Sequence, residues 1–237
     1  NPTHIGVAFD PAGPTFRHEA FEQYKAQREE TPEAIRLSVP IIKDIIRAYR
    51  IPILEVAGYE ADDVIGTLAT EAGRQGITTY MMTPDKDYGQ LVSDKVFMYR
   101  PKHTGGFEVM GVEEVKAKFD IQSPTQVIDM LGLMGDASDN IPGIPGVGEK
   151  TATKIISEFG SIENAHEHIE EIKPARAKNN LQEYYEQAIM SKDLATIKKD
   201  CDISYDFKDA KIGTLFTKDA YQSFKELELK SLFKYFG

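Results

Sequence analysis

From residue 3 to residue 99 the sequence alternates short apolar segments with amphipathic ones, and this alternation constrains the fold more than any other feature. Four segments have the length and the β-branched or aromatic content of strands: residues 3–9, 53–56, 77–83 and 96–99. Between them, apolar residues recur at helical spacing over residues 35–49, around Pro40, and over residues 64–72. Strands that alternate with helices predict an α/β fold with a mostly parallel sheet and flanking helices.

Clusters of acidic residues stand where these predicted strands and helices begin or end. The cluster residues are Asp10, Glu60, Asp62, Asp63, Asp85, Asp87, Asp136 and Asp139. In a parallel sheet, sites form outside the carboxyl ends of the strands, so we expect most of these side chains to gather there. Like charges held together need cations to neutralise them, and ligation by oxygen alone favours Mg²⁺ or Mn²⁺. The alternative is an ordinary acidic surface.

The net charge of −10 over 237 residues argues at first against a nucleic-acid partner. The eight cluster carboxylates account for most of that charge, so the remaining surface has room for local basic patches. No apolar run approaches the roughly 20 residues that span a bilayer, which predicts no membrane contact. A single cysteine fits a reducing compartment, and we expect a cytoplasmic protein.

The composition changes along the chain. After about residue 110 the sequence becomes mainly helical, with a Ser123-Pro124 helix start. We therefore predict two domains, an α/β core over residues 1–110 and a helical subdomain over residues 111–237.

A glycine-rich stretch within residues 140–160 is the most specific local pattern, and we interpret it as a helix-hairpin-helix. Its candidate ligand-binding residues are Gly143, Gly146, Val147, Gly148, Lys150 and Thr151. Glycines let the backbone approach a ligand, and the N–H groups that begin the next helix can hold a phosphate. Such contacts hold the nucleic-acid backbone without reading its sequence. A plain Gly/Pro connector between helices is the alternative.

A second stretch interleaves basic and aromatic residues. Arg17, Lys25 and Arg28 alternate with aromatic rings between residues 16 and 28, a pattern that suits single-stranded nucleic acid. Glu19 and Glu22 within this stretch, and Glu29 and Glu30 directly after it, dilute the positive charge, so a solvated helix is an equally good alternative.

Seven motifs in order resemble one known family. They are Phe-Asp and then Gly-Pro-Thr-Phe-Arg near the start, Tyr-Lys-x-x-Arg, Tyr-Glu-Ala-Asp-Asp, Thr-Pro-Asp-Lys-Asp, Gly-Asp-Ala-Ser-Asp-Asn and Gly-Val-Gly-Glu-Lys-Thr-Ala. Together they resemble the 5′-3′ exonuclease domain of bacterial DNA polymerase I, in the flap endonuclease group of nucleases. The resemblance runs from about residue 5 to about residue 232.

The resemblance implies a PIN-like sheet, a helical arch over about residues 14–32, and two metal ions. On that basis all eight cluster carboxylates would bind metal, and K⁺ would bind at the hairpin. Arg17 and Lys25 would offset charge that grows on the phosphate, and together with Arg28 they would contact DNA. The hairpin would hold the duplex downstream of the cut.

The implied activity is metal-dependent cleavage of DNA at 5′ flaps, nicks or single-strand/duplex junctions, in replication and repair. The implied setting is the bacterial cytoplasm near the nucleoid, with polymerase domains joined on the C-terminal side. Family members begin with a strand that bears a further metal-binding aspartate, which we expect to precede Asn1. The alternatives are a catalytically incomplete DNA-binding fragment and a PIN-like ribonuclease.

Overall fold

The computed structural model describes residues 1–236. Within them, the strands are β1 (Val7–Ala8), β2 (Ile53–Leu54), β3 (Thr79–Met82), β4 (Val96–Pro101) and β5 (Phe107–Met110). The α-helices are α1 (Phe16–Ala20), α2 (Glu33–Ala48), α3 (Ala61–Arg74), α4 (Val112–Phe119), α5 (Val127–Met134), α6 (Glu149–Phe159), α7 (Ile162–Glu167), α8 (Ala175–Glu183), α9 (Tyr185–Ala195) and α10 (Lys218–Glu226). Short 3₁₀ helices occur at Lys86–Leu91, Pro124–Gln126, Ile169–Glu171, Phe207–Ala210 and Lys230–Tyr235.

These elements form two compact units. The first contains Asn1–Gly13, Glu29–Val64 and the chain from Cys201 onward, and the second contains Pro14–Arg28 and Ile65–Asp200. This division differs from the predicted boundary near residue 110, because the C-terminal segment packs against the N-terminal one. His4 bridges to Lys211, and the hydroxyl of Thr217 donates to the carbonyl of Ala48 at 2.7 Å.

The first unit is built on a two-stranded parallel sheet. Val7 pairs with Ile53 and Ala8 with Leu54, so both strands are shorter than predicted. Helix α2 continues through Pro40, although a proline inside a helix favours a kink or a break. None of the residues of α2 is buried.

The second unit contains a three-stranded sheet in the order β3-β4-β5. Strands β3 and β4 are parallel, as predicted, and β5 is an antiparallel strand that the sequence analysis missed. The α/β class with a mostly parallel pairing is confirmed, although the strands lie in two sheets rather than one. The predicted arch region, residues 14–32, contains the five-residue helix α1 followed by turns.

The main core lies in the second unit, between one face of the three-stranded sheet and the helices that follow it. Met81 and Met98 face this core from the sheet, and Met130 and Leu131 from α5 are fully buried in it. Gly132 lets α5 and α9 approach closely, since a Cβ there would stand 2.6 Å from Ile162 Cδ1 and 3.0 Å from the carbonyl oxygen of Ala188. In residues 1–236 no helix combines the length and apolar character needed to cross a bilayer.

Candidate metal centre and phosphate-binding hairpin

The first carboxylate group lies at the start of α3, in the first unit. Glu60, Asp62 and Asp63 each offer an oxygen, and these oxygens lie within 4.8 Å of one another. Glu60 is 6% exposed and Asp63 is fully buried. Carboxylates at a helix N-terminus are stabilised by the helix dipole, and their mutual spacing suits joint ligation of one cation.

Asp63 of this group and Asp10, which lies outside it, also stabilise the helix end. Asp63 Oδ2 accepts the N–H of Glu60 at 3.0 Å, and Asp10 Oδ1 accepts the N–H of Ala61 at 2.7 Å. The first turn of a helix has backbone N–H groups without helical partners, and these carboxylates satisfy two of them. Asp10 follows β1, so this hydrogen bond places the end of the strand next to the start of α3.

The second carboxylate group lies in the second unit, around the loop that follows β3. Asp87 Oδ1 is buried and, within residues 1–236, has no hydrogen-bond partner. Burial, followed by the nearby charges of Asp85 and Asp136, raises the pKa of Asp87 to about 8. A buried carboxyl of this kind costs stability unless a proton or a cation neutralises it.

Asp136 has the opposite electrostatic character. Burial alone would raise its pKa, but hydrogen bonds from Ser138 and the Lys86 ammonium outweigh burial and lower it. Ser138 donates both its N–H and its hydroxyl to Asp136 Oδ1, at 2.8 and 2.6 Å. Lys86 Nζ lies 3.2 Å from Asp136 Oδ2. Although burial acts to lower the pKa of Lys86, its acidic neighbours raise it overall. Asp136 is therefore held ionised.

Lys86 was missed by the sequence analysis, although it stands between two predicted ligands in Asp-Lys-Asp. A lysine flanked by aspartates in a turn is the signal that could have identified it as a neutralising partner.

Asp139 lies among the predicted basic residues of the second unit. Lys25 Nζ is 3.7 Å from Asp139 Oδ2, Arg28 forms an ion pair with Asp139 Oδ1, and the Tyr24 hydroxyl donates at 3.3 Å. Lys25 has a φ of 55°, and its N–H donates to the carbonyl of Asp139 at 2.9 Å. Two predicted nucleic-acid contacts thus lie next to one predicted metal ligand.

Arg17, a predicted phosphate contact, is buried in the second unit. It is 1% exposed, and its guanidinium donates to the carbonyls of Leu194 and Thr196 at 2.8 Å each. These carbonyls lie at the C-terminal end of α9, where helix carbonyls lack helical partners. In this structure two of the donors of Arg17 therefore stabilise a helix end, and its phosphate contact stays a prediction.

The glycine-rich hairpin connects α5 to α6. Gly143 and Gly146 have φ of 60° and 72°, in the region that favours glycine. Thr151 and Ala152 both donate their N–H groups to the carbonyl of Gly148, which begins α6. Within the described chain, the exposed N–H groups of Gly148, Glu149 and Lys150 donate to no protein acceptor. They form a donor set suited to an anion at a helix N-terminus.

Arg176 is a second residue that sequence reasoning missed. A Cβ on Gly146 would stand 3.0 Å from its Nη2 atom, so the glycine leaves space for this guanidinium beside the hairpin. Arg176 lies 30 positions further along the chain than Gly146, on α8, and no local pattern predicts this contact.

The residues present fit a divalent cation. The ligand atoms on offer are all oxygens, which hard cations prefer. The oxygens of Glu60, Asp62 and Asp63 cluster in the first unit, and the second unit has a buried, unpaired oxygen on Asp87.

Comparison with known proteins gives matches along nearly the whole chain. Residues 1–120 match the sequence family described as "5'-3' exonuclease, N-terminal resolvase-like domain". Residues 122–218 match "5'-3' exonuclease, C-terminal SAM fold".

Among similar curated proteins, a 5'-3' exonuclease of Aquifex aeolicus is 37% identical over 236 residues, covering 98% of this chain and 78% of that protein. DNA polymerase I of Bacillus caldotenax is 43% identical over 234 residues, covering 95% of this chain and 27% of that protein. The chain thus spans about a quarter of the length of this polymerase relative.

Two groups of solved structures share the fold. Bacteriophage T5 5'-exonuclease with bound divalent zinc superposes with a TM-score of 0.70 at 23% identity, covering 94% of this chain and 82% of that one. The catalytic core of Rad2 in complex with a DNA substrate gives a TM-score of 0.57 at 16% identity, covering 92% and 73%.

Proposed function

Because this chain belongs to the 5′-3′ exonuclease family, we propose that it hydrolyses DNA phosphodiester bonds as a 5′-3′ exonuclease and 5′ flap endonuclease. The observation that carries the proposal is the buried Asp87 carboxyl, whose unpaired oxygen and raised pKa call for a cation among carboxylates. In an ordinary acidic surface the carboxylate oxygens are solvated or ion-paired, so a buried oxygen without a partner is not expected there.

Metal ligation is assigned to the eight cluster carboxylates, with two Mg²⁺ or Mn²⁺ ions as the cofactor. When bound, such ions polarise a phosphate oxygen and lower the pKa of water. Lys86 and Ser138 hold Asp136 ionised, so this ligand needs no deprotonation at neutral pH. The K⁺ predicted at the hairpin has weaker support, because the carbonyls of Gly143 and Pro145 already accept hydrogen bonds from Gln187 and Asn180.

Lys25 and Arg28 are assigned to the substrate phosphates. Their side chains are 18% and 53% exposed, so both can exchange Asp139 for a phosphate oxygen. A cation that moves towards the phosphate as its charge grows lowers the barrier rather than only tightening binding. Arg17, which was predicted for the same role, would have to give up its hydrogen bonds to Leu194 and Thr196 to reach a phosphate.

The hairpin is assigned to the duplex backbone. The N–H groups of Gly148 to Lys150, together with the side chain of Lys150, face solvent at the start of α6. Contacts of this kind position a duplex without reading its sequence. The partner is therefore DNA with a 5′ flap, a nick or a single-strand/duplex junction. DNA polymerase I relatives, of which the chain spans about a quarter, support the part of the proposal that joins this chain to C-terminal polymerase domains. With them the proposal includes a role in replication and repair in the bacterial cytoplasm near the nucleoid.

The test is cleavage of a 5′-labelled flap duplex by this chain, with Mg²⁺ or with a chelator. Matched substrates are the same duplex without a flap and a single-stranded RNA of the flap sequence. Release of the flap that requires Mg²⁺ supports the proposal. Binding without cleavage in Mg²⁺ or Mn²⁺ would identify a DNA-binding fragment instead, and preferential cleavage of the RNA would identify a PIN-like ribonuclease.

A further inference from the structure

The glycine-rich hairpin is fastened to α9 through both backbone groups of Gly143. The N–H of Gly143 donates to Ser191 Oγ at 3.0 Å, and Gln187 Nε2 donates to the carbonyl of Gly143 at 2.7 Å. Gln187 and Ser191 stand four positions apart, so they lie on the same face of α9. Ser191 is fully buried, so water does not replace it as acceptor. The hairpin therefore cannot slide along α9 without leaving polar groups unpaired, which costs free energy.

The C-terminal end of the same helix holds the loop that carries Asp87. Gln90 is buried and lies three positions after Asp87 in the same 3₁₀ helix. Its Nε2 donates to the carbonyl of Ala195 at 2.9 Å, and its Oε1 accepts the N–H of Ile197 at 2.8 Å. Helix α9 thus connects the hairpin to the loop of Asp87, and all three lie in the second unit.

Two predicted metal ligands of the second unit meet across this connection. Asp136 belongs to the hairpin side, because it exchanges two backbone hydrogen bonds with Ile141, at 3.0 and 2.9 Å. Asp87 belongs to the other side and lies close enough to Asp136 for the two charges to interact. Slippage of the hairpin along α9 would therefore move Asp136 against Asp87.

Helix α9 is held firmly enough to act as a spacer. Lys192 Nζ lies 2.7 Å from Asp129 Oδ1 of α5 and 2.9 Å from Glu163 Oε2 of α7, which ties α9 to both helices. From Gln187 to Ala195 the helix advances about 12 Å, at 1.5 Å per residue. This length fixes the spacing between the hairpin and the loop of Asp87.

The spacing matters because nucleotides are close together along DNA. One strand of a duplex advances about 3.4 Å per nucleotide. If the hairpin holds one phosphate, its distance from the carboxylates decides which phosphodiester bond reaches the metal ions. A shift of about 3.4 Å would present the neighbouring bond. A shift of about 1 Å would slow cleavage of the correct bond by as much as about a hundredfold.

We propose that Gln187, Ser191 and Gln90 are positioning residues, which fix this spacing through α9 and thereby select the bond that is cut. They act through the hairpin and the loop of Asp87. The inference rests on the proposed flap cleavage and adds what determines its position. Hydrogen bonds that only stabilise the fold are the alternative, so the position of the cut is the decisive observation.

The test resolves the products of single-turnover flap cleavage in Mg²⁺ at single-nucleotide resolution. Gln187→Ala and Gln90→Ala are each expected to raise the share of cuts at neighbouring bonds at least about fivefold and to slow cleavage at the main bond about tenfold. Gln187→Glu keeps the length of the side chain but loses the N–H donor, so it is expected to behave like Gln187→Ala.

Gln126→Ala is the matched control for stability. Gln126 lies at the opposite end of α5 from the hairpin, where it accepts the N–H of Ser123 at 3.1 Å and donates to the carbonyl of Gly160 at 3.0 Å. Its removal should lower the melting temperature without changing the product pattern. An unchanged pattern in Gln187→Ala and Gln90→Ala would overturn the proposal, and so would an equal change in Gln126→Ala.

A second measurement needs neither DNA nor metal. Nitroxide labels on Lys154→Cys of α6 and on Asp94→Cys, in the turn before β4, report by pulsed electron paramagnetic resonance the distance between these two segments. Both positions are exposed, whereas Cys201 is buried. Gln187→Ala is expected to broaden the distance distribution by about 3 Å, close to one nucleotide step. A distribution of unchanged width would overturn the proposal.

The two outcomes are separable from failure of the proposed hydrolysis. No cleavage by the unaltered chain would overturn the hydrolysis, and the distance distribution would still decide whether α9 holds this spacing. Cleavage with an unchanged product pattern in the variants would overturn the positioning role alone.

Discussion

At the residue scale, Asp87 links the stability of the metal-free chain to pH. Its pKa is about 8 in the folded chain against 3.8 for the free side chain. A raised folded-state pKa gives stability that is present below about pH 4 and is lost as pH rises through about 8. In chelator we therefore expect the melting temperature to fall between pH 6 and pH 9. Asp87→Asn should flatten this slope, and Mg²⁺ should restore stability at pH 9, both measured by thermal unfolding.

Asp94→Asn provides the control for that measurement. Asp94 is an exposed acid in the turn before β4, so its removal should leave the slope unchanged. Asp136 and Glu163 have lowered pKa values, so their protonation changes the stability only below about pH 4 and not between pH 6 and pH 9. A melting temperature that stays level from pH 6 to pH 9, or an equal slope in Asp87→Asn, would contradict the role of Asp87.

Asp85 separates metal chemistry from folding. It is exposed, and its Oδ1 accepts the N–H of Asp87 at 3.0 Å. Because little of the fold depends on it, Asp85→Ala should reduce the single-turnover rate of flap cleavage at least about a hundredfold while the affinity for DNA in chelator stays within a factor of about two. Asp94→Ala again serves as control. Equal losses of rate and affinity would remove Asp85 from the metal ligands.

Arg17 and Arg28 are expected to differ sharply, although both were predicted as phosphate contacts. Arg17→Ala removes two hydrogen bonds from carbonyls at the end of α9, one buried and one part-buried, which should lower the free energy of unfolding by about 3 kcal/mol. Arg28→Ala removes a half-exposed ion pair and should change it by less than about 1 kcal/mol. Chemical denaturation measures both. An Arg17→Ala chain of unchanged stability but impaired DNA binding would reinstate the phosphate contact.

At the element scale, the hairpin offers two glycines with opposite requirements. Gly143 has a φ of 60°, and a Cβ there would stand 2.3 Å from the backbone nitrogen of Gly135. Around Gly148 a Cβ would meet nothing within 4 Å, and its φ of −95° suits any residue. Gly143→Ala should therefore destabilise the fold by more than about 2 kcal/mol, whereas Gly148→Ala should leave stability nearly unchanged. Similar unfolding curves for the two variants would show that the turn does not need this geometry.

The sequence predicts elements that depend on local patterns better than contacts that depend on distant chain segments. The α/β class, the positions of β1 to β4 and the glycine turn follow from periodicity and composition. The burial of Arg17 does not, because its acceptors lie more than 170 residues further along the chain. For the same reason the sequence does not predict the contact of Arg176 with Gly146, or the bridge between Lys211 in the C-terminal segment and His4 before β1. Strand β5 was missed because its apolar residues follow a Gly-Gly turn and form only four positions.

At the scale of the whole molecule, the two units differ in how much core they contain. Six of the eight residues of α5 in the second unit are buried, whereas none of the sixteen residues of α2 in the first unit is. Local opening requires less free energy where few apolar side chains are buried. We therefore expect amides in peptides from α2 to exchange hydrogen at least about tenfold faster than those from α5, measured by mass spectrometry in chelator.

Adding Mg²⁺ should slow amide hydrogen exchange only near the carboxylates. The measurement therefore tests in each unit whether its carboxylates bind a cation. A ligand that binds the folded state slows the opening of the segments that hold it. Peptides that cover Glu60 to Asp63 and those that cover Asp85 to Asp87 should be protected, while α2, which carries no predicted ligand, should exchange as before. Protection of one segment alone would assign the cation to a single unit. Equal exchange of α2 and α5 in chelator would contradict the difference in core on which this prediction depends.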